Sequence, residues 1–207
     1  MLGHHRLKFF VLIIMLSLSL PAFAQKKTYH IRPDKQNTVK FTSDAPVEVI
    51  NGTTYDIKGQ ITYDNAFRFD KQHPFQVSFS VDLNKIDTGI ALRNEHMRDN
   101  FLESAKYPRA IFKVGTINSS ASPPFKAGQV VTINSTGLFT VHGVSVSKAI
   151  PVQVTYHPAE KPGDVLRIQA SFPVNLQAHK IQRPEVVFQK LAETIYVIVD
   201  AYAVAAP

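Results

Sequence analysis

The sequence predicts an all-β, antiparallel domain, and three observations carry that expectation. The dominant hydrophobic period is two: in "FQVSFSVDL", Phe75, Val77, Phe79, Val81 and Leu83 alternate with Gln76, Ser78, Ser80 and Asp82. The breaks between such segments are rich in Gly, Pro and Asn, the residues that turns need. No linker, repeat or change of composition divides the chain, which suits one domain built from short strands.

Taken in order, the chain opens on a segment with the pattern of a signal peptide. Arg6 and Lys8 precede the apolar run Phe9 to Leu20, which is short for a bilayer span, and Ala22-Phe23-Ala24 supplies a small-x-small cleavage site. The expectation is residues 1–24 as a signal peptide cleaved after Ala24, residues 25–207 as a single domain, and a periplasmic or secreted location. Strands are expected at Thr28–Arg32, Thr38–Thr42, Val47–Ile50, Tyr55–Tyr63, Phe75–Leu83, Arg109–Thr116, Gln129–Val141, Ser145–His157, the "VLRIQASFPVNL" stretch and the "TIYVIVDAYAV" stretch. Turns are expected at Asn51-Gly52, Ser122-Pro123-Pro124, Lys126-Ala127-Gly128, His142-Gly143 and Lys161-Pro162-Gly163. Gly89 to Leu102 breaks the period and reads as a short helix, with Ile90, Arg93 and Met97 on one side and Asp87 or Thr88 as its cap. Pro184–Ala192 reads as a helical turn or an irregular crossing. Strands with one apolar face can form a sandwich or a barrel, and periodicity does not choose between them.

The chain has no cysteine, so no disulfide supports it outside the cytoplasm; its stability must come from a hydrophobic core. The formal charge is +7, which falls to +5 without Arg6 and Lys8. The basic residues are spread with no run of five, and with the export signal this argues against nucleic acid. Attraction to an anionic ligand, or transient contact with an anionic membrane surface, fits the charge equally well. Nothing in the sequence addresses the oligomeric state.

The densest charge cluster is "IDTGIALRNEHMR", Ile86 to Arg98. As a structural clamp, Asp87 caps the helix, Arg98 pairs with Glu95 or Asn94, and Met97 and Phe101 pack down. As a metal site, Glu95, His96 and His142 would have to serve, but their spacing matches no zinc pattern, so no metal or other cofactor is expected. Gly-x-Ser-x-Gly is absent and no catalytic residue is assigned. His142-Gly143 reads as a hairpin turn, with Gly143 at positive φ and His142 packed against the helix.

"IDTGIALRNEHMR", the following "FLESAKYPRAIFK" and the later "GLFTVHGVSVSKAIPVQV" resemble, in order and spacing, the signatures of the YceI-like family of bacterial periplasmic proteins, over about Thr28 to Ala203. The stretches "SDAPVEVINGTTYDIKGQITYD" and "LQAHKIQRPEVVFQKLAETIYVIV" depart from the commonest family pattern and mark a divergent branch. The resemblance implies an extended eight-stranded, lipocalin-like antiparallel barrel with a short helix beside it. It also implies a non-enzymatic carrier that holds a long-chain lipid or isoprenoid in its interior. The expected tail-binding residues are Phe75, Val77, Phe79, Phe112, Phe139, Ile168 and Phe172, and the expected head-group residues are Arg93, His96 and Arg98. The alternatives are an interaction protein with a packed barrel and, less favoured, a metal-dependent hydrolase. Terminal sequencing of exported protein is expected to read Gln25-Lys26-Lys27; recovery of only the full-length chain would defeat the export expectation.

Overall fold

The computed structural model describes residues 26–64, 74–119, 125–158, 163–183 and 191–206. The segment 1–24, the Ser122-Pro123-Pro124 turn, Lys161-Pro162 and most of Pro184–Ala192 lie outside the described residues. Among the described residues, ten antiparallel strands form one sheet: β1 Lys26–Ile31, β2 Thr38–Asp44, β3 Val49–Thr54, β4 Ile57–Asp64, β5 Gln76–Asp82, β6 Arg109–Ser119, β7 Val130–Val141, β8 Val144–His157, β9 Val165–Asn175 and β10 Thr194–Ala205. Every expected strand is present, most of them longer than expected at one or both ends.

The order β1-β4-β5-β6-β7-β8-β9-β10 closes on itself through β1–β10, giving an eight-stranded barrel, and β2-β3 extend from β10 as two further strands. One edge of β10 serves two partners. Tyr196 to Asp200 pair with Thr42 to Thr38 of β2, whereas Val204 and Ala205 pair with His30 and Tyr29 of β1. At the changeover the Tyr202 N–H donates to Asn37 Oδ1 at 2.8 Å, and Asn37 Nδ2 donates to the Arg32 carbonyl at 2.7 Å. Asn37 is 2% exposed. Its amide thus replaces the strand partner that β10 lacks there, which keeps a buried backbone donor satisfied.

Alternation decides which residues enter the barrel. On β9, Leu166, Ile168, Phe172 and Val174 are buried while Ser171 and Pro173 face out. One end is filled: Tyr29 and Tyr63 stack with ring centroids 6.0 Å apart among Ile31, Leu166 and the fully buried Ala201 and Ala203. Two alanines leave the room that two tyrosines occupy. Lys27 pairs with Asp164 there and lies over the Tyr29 ring. Burial opposes the Lys27 charge, but the bonds to Asp164 and Tyr29 outweigh it and push its pKa up to about 12.

Three expectations are corrected. Asn51-Gly52 is not a turn but lies within β3, where Gly52 lets the Phe41 ring lie against the backbone; a Cβ would sit 2.2 Å from Phe41 Cε1. The β2–β3 turn instead spans Ala45 to Glu48. The helix is α1, Ala91–His96, continued by a π-turn at Met97–Phe101, and no side chain caps its start. His142-Gly143 is a two-residue hairpin with both residues at positive φ, 52° and 72°. His142 packs not on α1 but on the turn after it: edge-on to Tyr107 (5.0 Å), with Nε2 3.0 Å from Glu103 Oε1 and Nδ1 3.2 Å from the His179 carbonyl.

The Asn37 amide gives a test of the closure. Asn37→Ala strips the buried Tyr202 N–H of its acceptor and is expected to cost ~1–3 kcal/mol in denaturant unfolding; Asn37→Asp keeps that acceptor but sets a buried carboxylate against the Arg32 carbonyl, and is expected to cost at least as much.

Candidate functional site

Above the filled end the barrel is hollow. A cavity of about 470 Å³ lies between the sheet and the Ile86–Leu102 segment, within the range of pockets that hold small organic ligands. Phe79 pairs in register with Phe112, and Phe112 with Phe139, across β5, β6 and β7; the Phe139 ring meets Phe172 of β9 edge-on at 5.7 Å. Four phenylalanines therefore form a belt around the wall. Ile168, Ala170, Val197 and Val199 continue it, and Met97, Phe101 and Leu102 come down from the helical segment.

Of the expected tail residues, Phe79, Phe112, Phe139, Ile168 and Phe172 line this cavity. Phe75 and Val77 do not: Phe75 packs against the filled end, and Val77, 8% exposed, lies outside the lining. The shared apolar face of β5 runs past the cavity into the plug. Phe41 and Val39 of β2, and Ile195, Val197 and Val199 of β10, line the cavity without having been singled out in the sequence. On β10 the signal was masked because outward-facing Tyr196 and Ile198 are also apolar, 54% and 46% exposed.

The charged cluster is resolved bond by bond. Arg93 Nη1 donates to Glu48 Oε1 on the β2–β3 turn at 2.6 Å, Nε to Thr88 Oγ1 at 3.1 Å and Nη2 to the Thr88 carbonyl at 2.9 Å. Asn94 Oδ1 accepts from the Thr88 N–H (2.8 Å) and hydroxyl (2.6 Å), and Asn94 Nδ2 donates to Asp87 Oδ1 at 2.8 Å. Asp87 also accepts from Gly89 N–H, and the Asn94 amide with that N–H holds its carboxyl below the ordinary carboxylate range. The Asp87 backbone exchanges two hydrogen bonds with Thr53 of β3, at 2.8 and 2.9 Å. The cluster is a clamp fastening α1 to β3 and the β2–β3 turn, but with other partners than expected. Asp87 and Thr88 bind Asn94 rather than capping the helix, and Glu95 and Arg98 form no ion pair among the described residues.

Arg93 and His96 line the cavity; Arg98 does not. Arg93 spends donors on Glu48 and Thr88, while His96 is an exposed imidazole on α1 at the cavity margin. Nearby, His179 went unnoticed in the sequence because its turn lies in the divergent stretch. It is 2% exposed, donates from Nδ1 to the Val144 carbonyl at 3.0 Å and meets the Phe139 ring edge-on at 5.4 Å. Burial holds its pKa below the ordinary histidine value, outweighing the Val144 bond.

These features define an antiparallel barrel with one end plugged and an apolar cavity under a clamped helical segment, and comparison with known proteins gives the family. The profile of the YceI-like domain matches residues 29–203, and the chain belongs to that family. Protein YceI of Salmonella arizonae is 33% identical over 86 residues, which span 40% of this chain and 40% of the relative. Among solved structures, a polyisoprenoid binding domain from Saccharophagus degradans superposes with a TM-score of 0.67 at 16% identity, covering 86% of this chain and 98% of the other. Burkholderia cenocepacia BcnA superposes with a TM-score of 0.61 at 17% identity, covering 80% and 95%. These likenesses share the fold.

The clamp is testable by contrast. Asn94→Ala leaves the buried Thr88 hydroxyl and N–H without their acceptor and is expected to cost ~1–3 kcal/mol of stability, whereas Glu95→Ala stays within about 0.5 kcal/mol. Equal melting of both variants would refute the clamp. The depressed His179 pKa fixes a second expectation. The unfolded chain binds this proton more tightly, so the contribution of His179 is full above the unfolded value of about 6.5 and declines as pH falls below it. Unfolding midpoints between pH 7.5 and 5 should fall, and His179→Gln should flatten that slope; parallel slopes would contradict the assignment.

Proposed function

We propose that this protein is an exported, non-enzymatic carrier that sequesters one long apolar chain, an isoprenoid or related lipid, inside its barrel. The observation that carries the reading is the hollow, phenylalanine-belted cavity above a filled barrel end. A packed barrel would fill that space with side chains. The Saccharophagus domain of the same fold is described as polyisoprenoid binding, which supports this ligand class. The Met1–Ala24 pattern supports export to the periplasm or beyond, where a water-insoluble chain needs a carrier to cross an aqueous compartment.

The mechanism is burial. Removing roughly 400 Å² of hydrocarbon from water at ~25 cal/mol per Å² gains on the order of 10 kcal/mol before ordering costs. Phe79, Phe112, Phe139, Ile168 and Phe172 contact the tail. The head group lies at the margin near His96, with Arg93 holding the cover in place beside it. Arg98 stands back from the cavity, within reach of a head group that extends past His96.

The chain has no tryptophan, so Phe79→Trp reports the cavity without background. Adding a long-chain isoprenoid is expected to shift and strengthen its emission. Phe79→Asp is expected to abolish binding, because an unpaired charge in an apolar channel is costly. Silence of a folded Phe79→Trp variant toward every long-chain lipid tried would overturn the carrier reading in favour of a barrel that works through an external partner.

A further inference from the structure

A carrier of a water-insoluble chain must collect it from a bilayer, and the outer surface at the cavity margin carries an apolar rim that the barrel does not use. Val47 and Val49, on the β2–β3 turn and the start of β3, are 60% and 55% exposed. Ile90 and Leu92, at the start of α1, are 51% and 60% exposed and also line the cavity. The Arg93–Glu48 pair ties these two elements together at 2.6 Å, so the four side chains flank a single crossing point. Large aliphatic groups are seldom left this open without a use when they cluster. Ile90 and Leu92 face both solvent and cavity, so apolar side chains link the interior to the rim.

We infer that this rim, Val47, Val49, Ile90 and Leu92, is a membrane-docking surface that seats the cavity margin on a lipid bilayer, the inference resting on the carrier reading above. The charges around it favour insertion over electrostatic adhesion. Arg93 is neutralised by Glu48; of the remaining charges nearby, Arg98 stands beside Glu95 and Asp99, while Asp87 precedes Ile90 and Asp44 pairs in register with Val49, so the rim carries no cationic excess to draw it onto anionic lipid. Lys40 on the cavity wall adds one cation. The occupant is therefore a bilayer engaged through its acyl region, and a neutral phosphatidylcholine surface suffices. Insertion of the rim by several ångströms places the cavity margin at the acyl boundary, so that a chain passes into the barrel without crossing water.

Val47 and Val49 do not line the cavity, which separates docking from ligand binding. In full-length mature protein, Val47→Trp should shift to the blue on adding phosphatidylcholine vesicles and be quenched by acyl-chain-labelled lipid. Val130→Trp is the control, because Val130 is exposed at the other end of the barrel, where β7 pairs with Thr155; it should not respond. Val47→Asp with Val49→Ser should weaken vesicle partition by roughly tenfold to a hundredfold, while its uptake of isoprenoid from detergent micelles, read through Phe79→Trp, stays unchanged. A silent Val47→Trp, or vesicle binding that needs anionic lipid and ignores the Val47 and Val49 substitutions, overturns docking even if micellar uptake succeeds. Failure of micellar uptake with a responsive Val47→Trp overturns the carrier reading and leaves docking standing.

Discussion

The architecture hangs on one edge of one strand. β10 must pair with β9 along its whole length, yet on its other edge it is shared, with β2 taking the first part and β1 the last residues. Between them Asn37 supplies the acceptor that neither strand provides. Where β1 takes the β10 edge, the interior is filled by Tyr29 and Tyr63 against Ala201 and Ala203. Where the β2-β3 ribbon takes it, Val39, Phe41 and Gly52 join the lining of the cavity.

The cavity end has a cover, and the charged cluster holds it. Asn94 gathers Asp87 and Thr88 into a tight loop, the Asp87 backbone bonds to Thr53, and Arg93 reaches across to Glu48. Neutral and charged partners alike sit at short range around the half-buried Arg93, which makes their geometry specific even where the ion pair itself is only partly shielded. The Arg93–Glu48 bond ties the turn that carries the exposed Val47 and Val49 to the segment that carries the exposed Ile90 and Leu92, so the element that covers the cavity also presents apolar side chains to solvent.

Much of this was legible from residue order. Period-two alternation marked β5 and β9 and, less strictly, β10; the other strands were placed between turn-like breaks, and the motif from Ile86 to Arg98 marked the covering segment. What alternation cannot carry is the difference between a phenylalanine that lines a cavity and one that packs a core. Phe75, Val77 and Phe79 share one face of β5, yet only Phe79 reaches the cavity. Asn51-Gly52 has a turn's composition but serves as flat backbone under Phe41, because local preference yielded to a ring that needed room. Glu95 and Arg98 have helical spacing for a pair, but α1 loosens into a π-turn at Met97, between them, and the spacing no longer holds. The double duty of the β10 edge, and hence the choice of barrel over sandwich, is a long-range property that no local window contains.

The central claim is that the cavity is a binding space for one apolar chain. Mass spectrometry of an organic extract from protein purified out of its native host tests it most directly. The account predicts a long-chain isoprenoid or related lipid at close to one per barrel. That signal should be lost from Phe79→Asp protein prepared in the same way. An extract without any stoichiometric long-chain lipid, from folded wild-type protein, would contradict it.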